Sequence, residues 1–274
     1  MSRTVVIKLG GELISSEREV EARAIAKDVA AIAKTDRVVV VHGGGPQTTT
    51  LQESLGQKPV IVAGRRVTDD AALDAIKMIV AGKLNVDLCS LLRSEGVNAV
   101  GLHGVSGRVI AAEKRPPRVV SGGGDQLIDF LHVGDVVGLN RSLLELLSSA
   151  GYVPVLACIG SDASGRAYNI NADAVASAVA GGLEADALVL VTNTPGVLKD
   201  AKDPSTRMPR LSVAQARAAI ADGTIAGGMI PKVEEAFGAL DKGVKSVRVV
   251  GRVGAGDLER ALLADGSAGT TFVP

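Results

Sequence analysis

Hydrophobic positions along this chain follow two alternating periods. Short runs rich in Val, Ile and Leu occupy residues 4–8, 37–41, 97–102, 153–157, 187–192 and 246–250; each leads into Gly or turn residues and then a stretch of helical periodicity. Two runs, Val38-Val39-Val40-Val41 and Leu188-Val189-Leu190-Val191, are apolar at every position, which predicts central parallel strands covered on both faces. One helical stretch carries Val20, Ile25, Val29 and Ile32 on one side. A longer one, over residues 69–95, carries Leu73, Ile76, Val80, Leu84, Leu88, Leu91 and Leu92 at spacings of three or four. The alternation predicts an α/β fold with a doubly wound, mostly parallel sheet and right-handed crossovers. Residues 116–132, with Pro116-Pro117 and Gly122-Gly123-Gly124, break the pattern and predict a hairpin standing off that sheet. There is no linker-like composition and no repeat, so two lobes sharing one sheet are expected.

Composition narrows the function. The 274 residues include 33 Gly but no Trp, 2 Tyr and 3 Phe, so small and aliphatic side chains must build the core. Thirty basic residues balance thirty acidic ones, which argues against a nucleic-acid partner and leaves room for a local cationic pocket. Cys89 and Cys158 show no metal or redox spacing and are expected as packing thiols. No signal sequence precedes the first strand and no apolar run approaches a membrane span, so a cytoplasmic protein without membrane contact is expected.

Ligands of doubly wound sheets sit beyond the carboxyl ends of the strands, and the loops there carry the candidate chemistry. Lys8-Leu9-Gly10-Gly11 ends the first strand and His42-Gly43-Gly44-Gly45-Pro46 the second. Consecutive glycines let backbone N–H groups converge on an anion, and a following helix adds its positive end. Lys8, near the end of an apolar strand, must reach solvent or an anion. Further on, Tyr168-Asn169-Ile170-Asn171-Ala172-Asp173 precedes a helix expected over 174–182; one of its polar residues is explained as a cap, and alternation along an extended segment would give the three a common face. Gly227-Gly228-Met229-Ile230-Pro231-Lys232-Val233 puts a lysine in the first turn of a helix, where the dipole disfavours it unless an anion binds there. No P-loop, complete GxGxxG, HExxH or GxSxG is present, and His42, His103 and His132 lack metal spacing; each is expected to be a loop or packing residue.

Those strings, with Arg66-Val67-Thr68-Asp69 and Val133-Gly134-Asp135-Val136, resemble in content and order the motifs of the amino acid kinase family. The resemblance runs from residue 5 to Gly269-Thr270, and six strings in register make it specific. It implies a three-layer αβα sandwich on an open, mostly parallel sheet of about eight strands. Residues 1–274 would form one domain, with an N-terminal lobe (1–167) for the acyl amino acid and dimer contact and a C-terminal lobe (168–274) for ATP. Within the family the chain is most similar to bacterial members acting on N-acetyl-L-glutamate. This implies ATP-dependent formation of N-acetyl-L-glutamyl 5-phosphate, the second step of arginine biosynthesis.

By the same resemblance Lys8, Lys232 and Asp173 are catalytic: the lysines offset phosphoryl charge and Asp173 holds them. Gly44, Gly45, Arg66 and Asn169 would bind the substrate, with Arg66 on its α-carboxylate. Lys8, Gly10, Gly11, Thr192, Asn193, Gly196 and Lys232 would serve ATP. Magnesium would be held by ATP oxygens and water, with no protein-built metal site. Adjacent Arg65 competes with Arg66 for the clamp, and Val67-Thr68-Asp69 favours Arg66. Relatives commonly show Asp-Val where this chain has Asn193-Thr194, and residues 200–210 read equally as a lid or a solvated loop. Only seven residues precede Lys8, where arginine-inhibited relatives carry an extra helix, so an arginine-insensitive homodimer joined through 69–95 is expected. Binding of a PII-type regulator is left open. The competing readings are a kinase for N-acetyl-aminoadipate, glutamate or aspartate, and a catalytically silent sensor of nucleotide or amino acid.

Overall fold

The strand Thr4–Leu9 lies in the middle of the main sheet because both its faces are apolar: Val5, Val6 and Ile7 are fully buried and Leu9 nearly so. The protein is described here by a computed structural model, which covers residues 2–14, 18–120, 124–200, 202–226, 229–251 and 254–274. Eight strands form the sheet in the order Arg210–Ser212, Thr270–Val273, Val247–Gly251, Ala187–Thr192, Thr4–Leu9, Arg37–His42, Val153–Ala157, Ala99–His103. Pairing is parallel throughout except between Val247–Gly251 and Thr270–Val273. The six strands expected from β-branched runs form its contiguous parallel part. The two at one edge have only three and four residues, too short to show a period in the sequence.

Alternation along the first strand divides the core. Val5, Ile7 and Leu9 pack with Ile25, Val29 and Ile32 of the helix Glu19–Ile32 and with Leu88 and Leu92. Val6 faces the other way, into a cluster with Val175, Ala176 and Val179 of the helix Ala172–Gly182. Lys8, two residues after Val6, shares that second face.

Residues 69–95 form one continuous helical rod of mixed winding. Asp69 caps it by accepting from the Ala72 N–H at 2.8 Å; α-helix over Asp70–Ile76 passes into π-helix over Lys77–Leu84 and back to α-helix over Asn85–Ser94. The wide apolar stripe read there spans this change of winding. A separate four-stranded sheet is built from Ala167–Asn169, Ile159–Ser161, Ile110–Lys114 and Gly134–Leu139. In the expected hairpin, Arg118 and Ile128 exchange backbone hydrogen bonds of 3.2 and 3.1 Å, while Gly122 and Gly123 lie outside the described residues.

Asp28, on the first long helix, is 2% exposed and accepts from the N–H groups of Gly256 (2.6 Å) and Leu258 (2.8 Å), at the start of the helix Asp257–Leu263. Burial pushes its carboxyl up, against the two N–H bonds that hold it down. Asp28→Ala strands both donors and should cost about 1–3 kcal/mol, read as a lower urea midpoint; an unchanged midpoint would rule this cap out as a contributor.

Candidate active site

A cleft of about 700 Å³ opens beyond the carboxyl ends of the first two strands and gathers Lys8, Gly10, Gly11, Gly44, Gly45, Arg66, Asn169 and Asp173 along its walls. Lys8, near the carboxyl end of the first strand, is one of its lining residues. Its Nζ lies 2.7 Å from Asp173 Oδ1, both side chains being mostly buried. Asp173 belongs to the first turn of the Ala172–Gly182 helix, where a carboxylate also complements the helix dipole. Asn171 is the cap, its side chain accepting from the Asp173 N–H at 2.9 Å. The helix therefore begins at Ala172, and Asn169, Asn171 and Asp173 do not share one extended face: only Asn169 is in a strand.

The two glycine loops touch. A Cβ on Gly11 would come within 2.6 Å of Gly44 Cα, and one on Gly44 within 2.6 Å of Leu84 Cδ1 and 2.8 Å of Val80 Cγ2. Close approach from both sides thus demands glycine at each place, and the π-helical segment forms the floor beneath Gly44. Gln47 fastens the loops by donating to the Gly11 carbonyl at 2.6 Å. A Cβ on Gly45 would meet nothing within 4 Å.

Arg66 lies across the cleft. Its guanidinium donates to Gln52 Oε1, to the Gly45 carbonyl at 3.1 Å and to Thr49 Oγ1 at 2.7 Å. All three acceptors are neutral, so these bonds orient the charge without cancelling it. Burial lowers the pKa of this group. Arg65 also lines the cleft, but it donates at 3.4 Å to the Ala63 carbonyl two residues away, and it is exposed. Asn169 donates to Thr68 Oγ1 at 3.1 Å, and its N–H to the His132 carbonyl at 2.9 Å, which fixes it against the strip carrying Arg66. Asp135, in the Val-Gly-Asp-Val string, is engaged by Arg115 at 2.5 Å. Cys158 is buried beside the cleft with its thiol pushed up to about 11 by that burial, and Cys89 is partly buried with its thiol also raised.

On the other side, Lys232 lies in the helix Met229–Leu240; Gly227 and Gly228, which precede that helix, lie outside the described residues. Lys232 Nζ donates to Thr194 Oγ1 at 3.3 Å. Burial and then the charge of Lys8 lower its pKa, while Asp173 raises it. Asp173 therefore binds Lys8 directly and acts on Lys232 through its charge, whereas Thr194 supplies the bond. Thr194 in turn leans on Thr192, at 2.9 Å between hydroxyls. Asn193 donates to Glu12 Oε1 at 2.5 Å and accepts from Arg18 at 2.7 Å. An aspartate there would face the Glu12 carboxylate with like charge, so the amide fits its setting. Gly196, at φ +125°, packs so closely that a Cβ would lie 2.7 Å from Thr270 Oγ1.

Glu235, one turn beyond Lys232, was not singled out by the sequence pattern. Burial and then the charge of Asp173 raise its pKa to about 7, against the pull of Lys8 and Lys232. Its only signal in the sequence is its three-residue spacing from Lys232. Among the described residues no group of three or more metal-ligating side chains is assembled, and no helix is long and apolar enough to cross a membrane.

Comparison with known proteins identifies the family of the chain. The family model described as "Amino acid kinase family" matches residues 3–251. The chain is 54% identical over 272 residues to a protein named acetylglutamate kinase from Anaeromyxobacter sp. (strain Fw109-5), covering 99% of each. It is 42% identical to the acetylglutamate kinase of Methanocaldococcus jannaschii, covering 95% of this chain and 85% of that protein. Among solved structures, N-acetylglutamate synthase from Neisseria gonorrhoeae, in complex with coenzyme A and N-acetyl-glutamate, superposes with a TM-score of 0.81 at 23% identity. The superposition covers 99% of this chain and 59% of that one, a likeness of fold.

The elevated Glu235 carboxyl has a consequence for stability. The native state binds its proton more tightly than the unfolded chain does. The stability this confers is present in full below the ordinary carboxylate range and lost as pH rises through about 7. Glu235→Gln, neutral at every pH, should unfold at a higher temperature than the parent at pH 8 and lose that advantage at pH 4.5. A difference independent of pH in thermal melts would contradict the assignment.

Proposed function

The chain belongs to the amino acid kinase family, and we propose from the cleft it forms that it is an acetylglutamate kinase, phosphorylating the side-chain carboxylate of N-acetyl-L-glutamate with ATP. The observation that carries the reading is the meeting of Lys8, paired with Asp173, the two interlocked glycine loops and the outward-held Arg66 in one cleft. The product, N-acetyl-L-glutamyl 5-phosphate, is the activated acid of the second step of arginine biosynthesis.

A carboxylate is a competent nucleophile without a general base, so the barrier is mainly electrostatic and orientational: an anion must approach a polyanion in line. Lys8 donates from one side of the transferring phosphoryl and Lys232 from the other. The N–H groups of Gly11, Gly44 and Gly45 add neutral donors at the same place. Asp173 keeps Lys8 aimed at the cleft, and Thr194 does the same for Lys232. Arg66 takes the α-carboxylate through its planar fork, and Asn169 offers donor and acceptor to the acylated amino-acid end. Gly10, Thr192, Asn193 and Gly196 belong to the ATP side. Magnesium would come with ATP, held by phosphate oxygens and water, while Asp173 serves Lys8.

The division of labour is then an acyl amino-acid lobe over 1–167 and a nucleotide lobe over 168–274, in a cytoplasmic enzyme with access to ATP. A homodimer is supported by Met78 (60% exposed) and Val86 (61%) on the rod over residues 70–94; light scattering at monomer mass would contradict it.

In an assay of ADP release, the purified protein should turn over N-acetyl-L-glutamate well above glutamate, aspartate or N-acetyl-aminoadipate; preference for another acid would redirect the assignment. Lys8→Ala should lower kcat by about a hundredfold or more, as loss of a transition-state donor does, with ATP affinity changed far less. Small and equal effects on both would sink the role of Lys8 and favour a sensor.

A further inference from the structure

Behind the glycine loop lies a buried polar pair that the proposed chemistry leaves unused. His42, the last residue of the second strand, is 0% exposed, and Asn85, at the end of the π-helical segment, is 5% exposed. Asn85 Nδ2 lies 3.0 Å from the Val155 carbonyl and 3.0 Å from His42 Nε2. A carbonyl only accepts, so the amide nitrogen of Asn85 must face it, and its second hydrogen points at the ring. His42 Nε2 is then the acceptor and the ring proton sits on Nδ1, 3.1 Å from the Gly43 carbonyl. Burial, which lowers the imidazole pKa to about 4, keeps the ring in this neutral form at physiological pH.

The surrounding sequence makes room for the pair. A Cβ on Gly101 would fall 2.0 Å from Asn85 Oδ1, and Cys89 Sγ lies 4.0 Å from the same oxygen. The loop itself is held at both ends of one residue: the Gly43 N–H donates to the Leu9 carbonyl at 3.1 Å, and the Gly43 carbonyl receives the imidazole. The Gly43 carbonyl and the Gly44 N–H belong to one planar peptide and point in opposite directions. Fixing the first therefore aims the second.

We infer that His42, locked in its Nδ1–H tautomer by Asn85, is a positioning residue for phosphoryl transfer, because it sets the peptide that presents the Gly44 N–H to the cleft. The inference rests on the kinase reading for its kinetic arm only. Gly101, on a strand that does not line the cleft, serves the same pair by leaving space for Asn85.

Two measurements test it. In protein carrying 15N-labelled histidine, the ring signal lost in His42→Asn should show the Nδ1–H tautomer and should not titrate between pH 5 and 8; an Nε2–H tautomer, or titration in that range, overturns the inference. In the kinase assay, the amide nitrogen of His42→Asn can stand where Nδ1 stands and donate to Gly43. That of His42→Gln reaches the Nε2 position instead, and His42→Leu donates nothing. His42→Asn should keep a kcat at least about tenfold above His42→Gln and His42→Leu, the scale of one misdirected transition-state donor, even where the three melt at similar temperatures. Gly101→Ala should lower kcat in the same sense as His42→Leu. Equal kcat across the three His42 variants overturns the inference. If the parent protein fails to turn over N-acetyl-L-glutamate, the functional reading fails, while the tautomer still decides whether the pair is arranged as described.

Discussion

The ion pair between Lys8 and Asp173 is the contact on which the cleft depends. An ammonium at the end of a buried strand requires a counter-charge, and a carboxylate in the first turn of the covering helix supplies it at 2.7 Å. Both groups are largely withdrawn from water, so removing either leaves a charge whose desolvation nothing offsets. The pair also ties the central strand of the sheet to the helix that packs on Val6 through Val175, Ala176 and Val179. Of the three hydrogens on the ammonium, Asp173 engages one, which leaves two for other acceptors in the cleft that Lys8 lines.

Around this pair the charges are deliberately uneven. Lys8, Arg65, Arg66, Arg115 and Arg118 line the cleft, with Asp173 as the carboxylate among its lining residues, while Lys232 stands at its edge through Thr194. Thr194 and Gln52 take hydrogen bonds from the cations without neutralising them. Glu235 is a second acid near these groups: burial, and then the charge of Asp173, raise its pKa to about 7, so it carries only part of a full negative charge near neutral pH. A chain with no net charge thus concentrates positive potential where two anions must meet, consistent with field focusing in a low-dielectric cleft.

The sequence made the parallel core strands legible because buried strands must be apolar on both faces, and the glycine loops legible because close backbone approach excludes Cβ atoms. Lys8 and Lys232 stood out as charges in places that structure alone disfavours. Three features escaped. The strands Arg210–Ser212 and Thr270–Val273 are too short to carry a period. The shared face expected for Asn169, Asn171 and Asp173 dissolved because Asn171 caps a helix that already contains Asp173. Glu235 and the partners of Asn193 and Lys232 were hidden because they depend on contacts between segments remote in the chain, which no local period records.

The π-helical stretch Lys77–Leu84 carries a different kind of information. An α-helix advances about 100° per residue, so the wide turns set where every later side chain points. Through them Val80 and Leu84 floor the Gly44 loop while Asn85, the next residue, faces His42. Substitutions along this stretch change one side chain at a time. Loss or gain of a single residue would rotate the whole following helix and separate the floor from the pair. The length of this segment is therefore as much a part of the specification of the candidate site as the identity of any residue in it, and related chains would be expected to vary its letters while keeping their number.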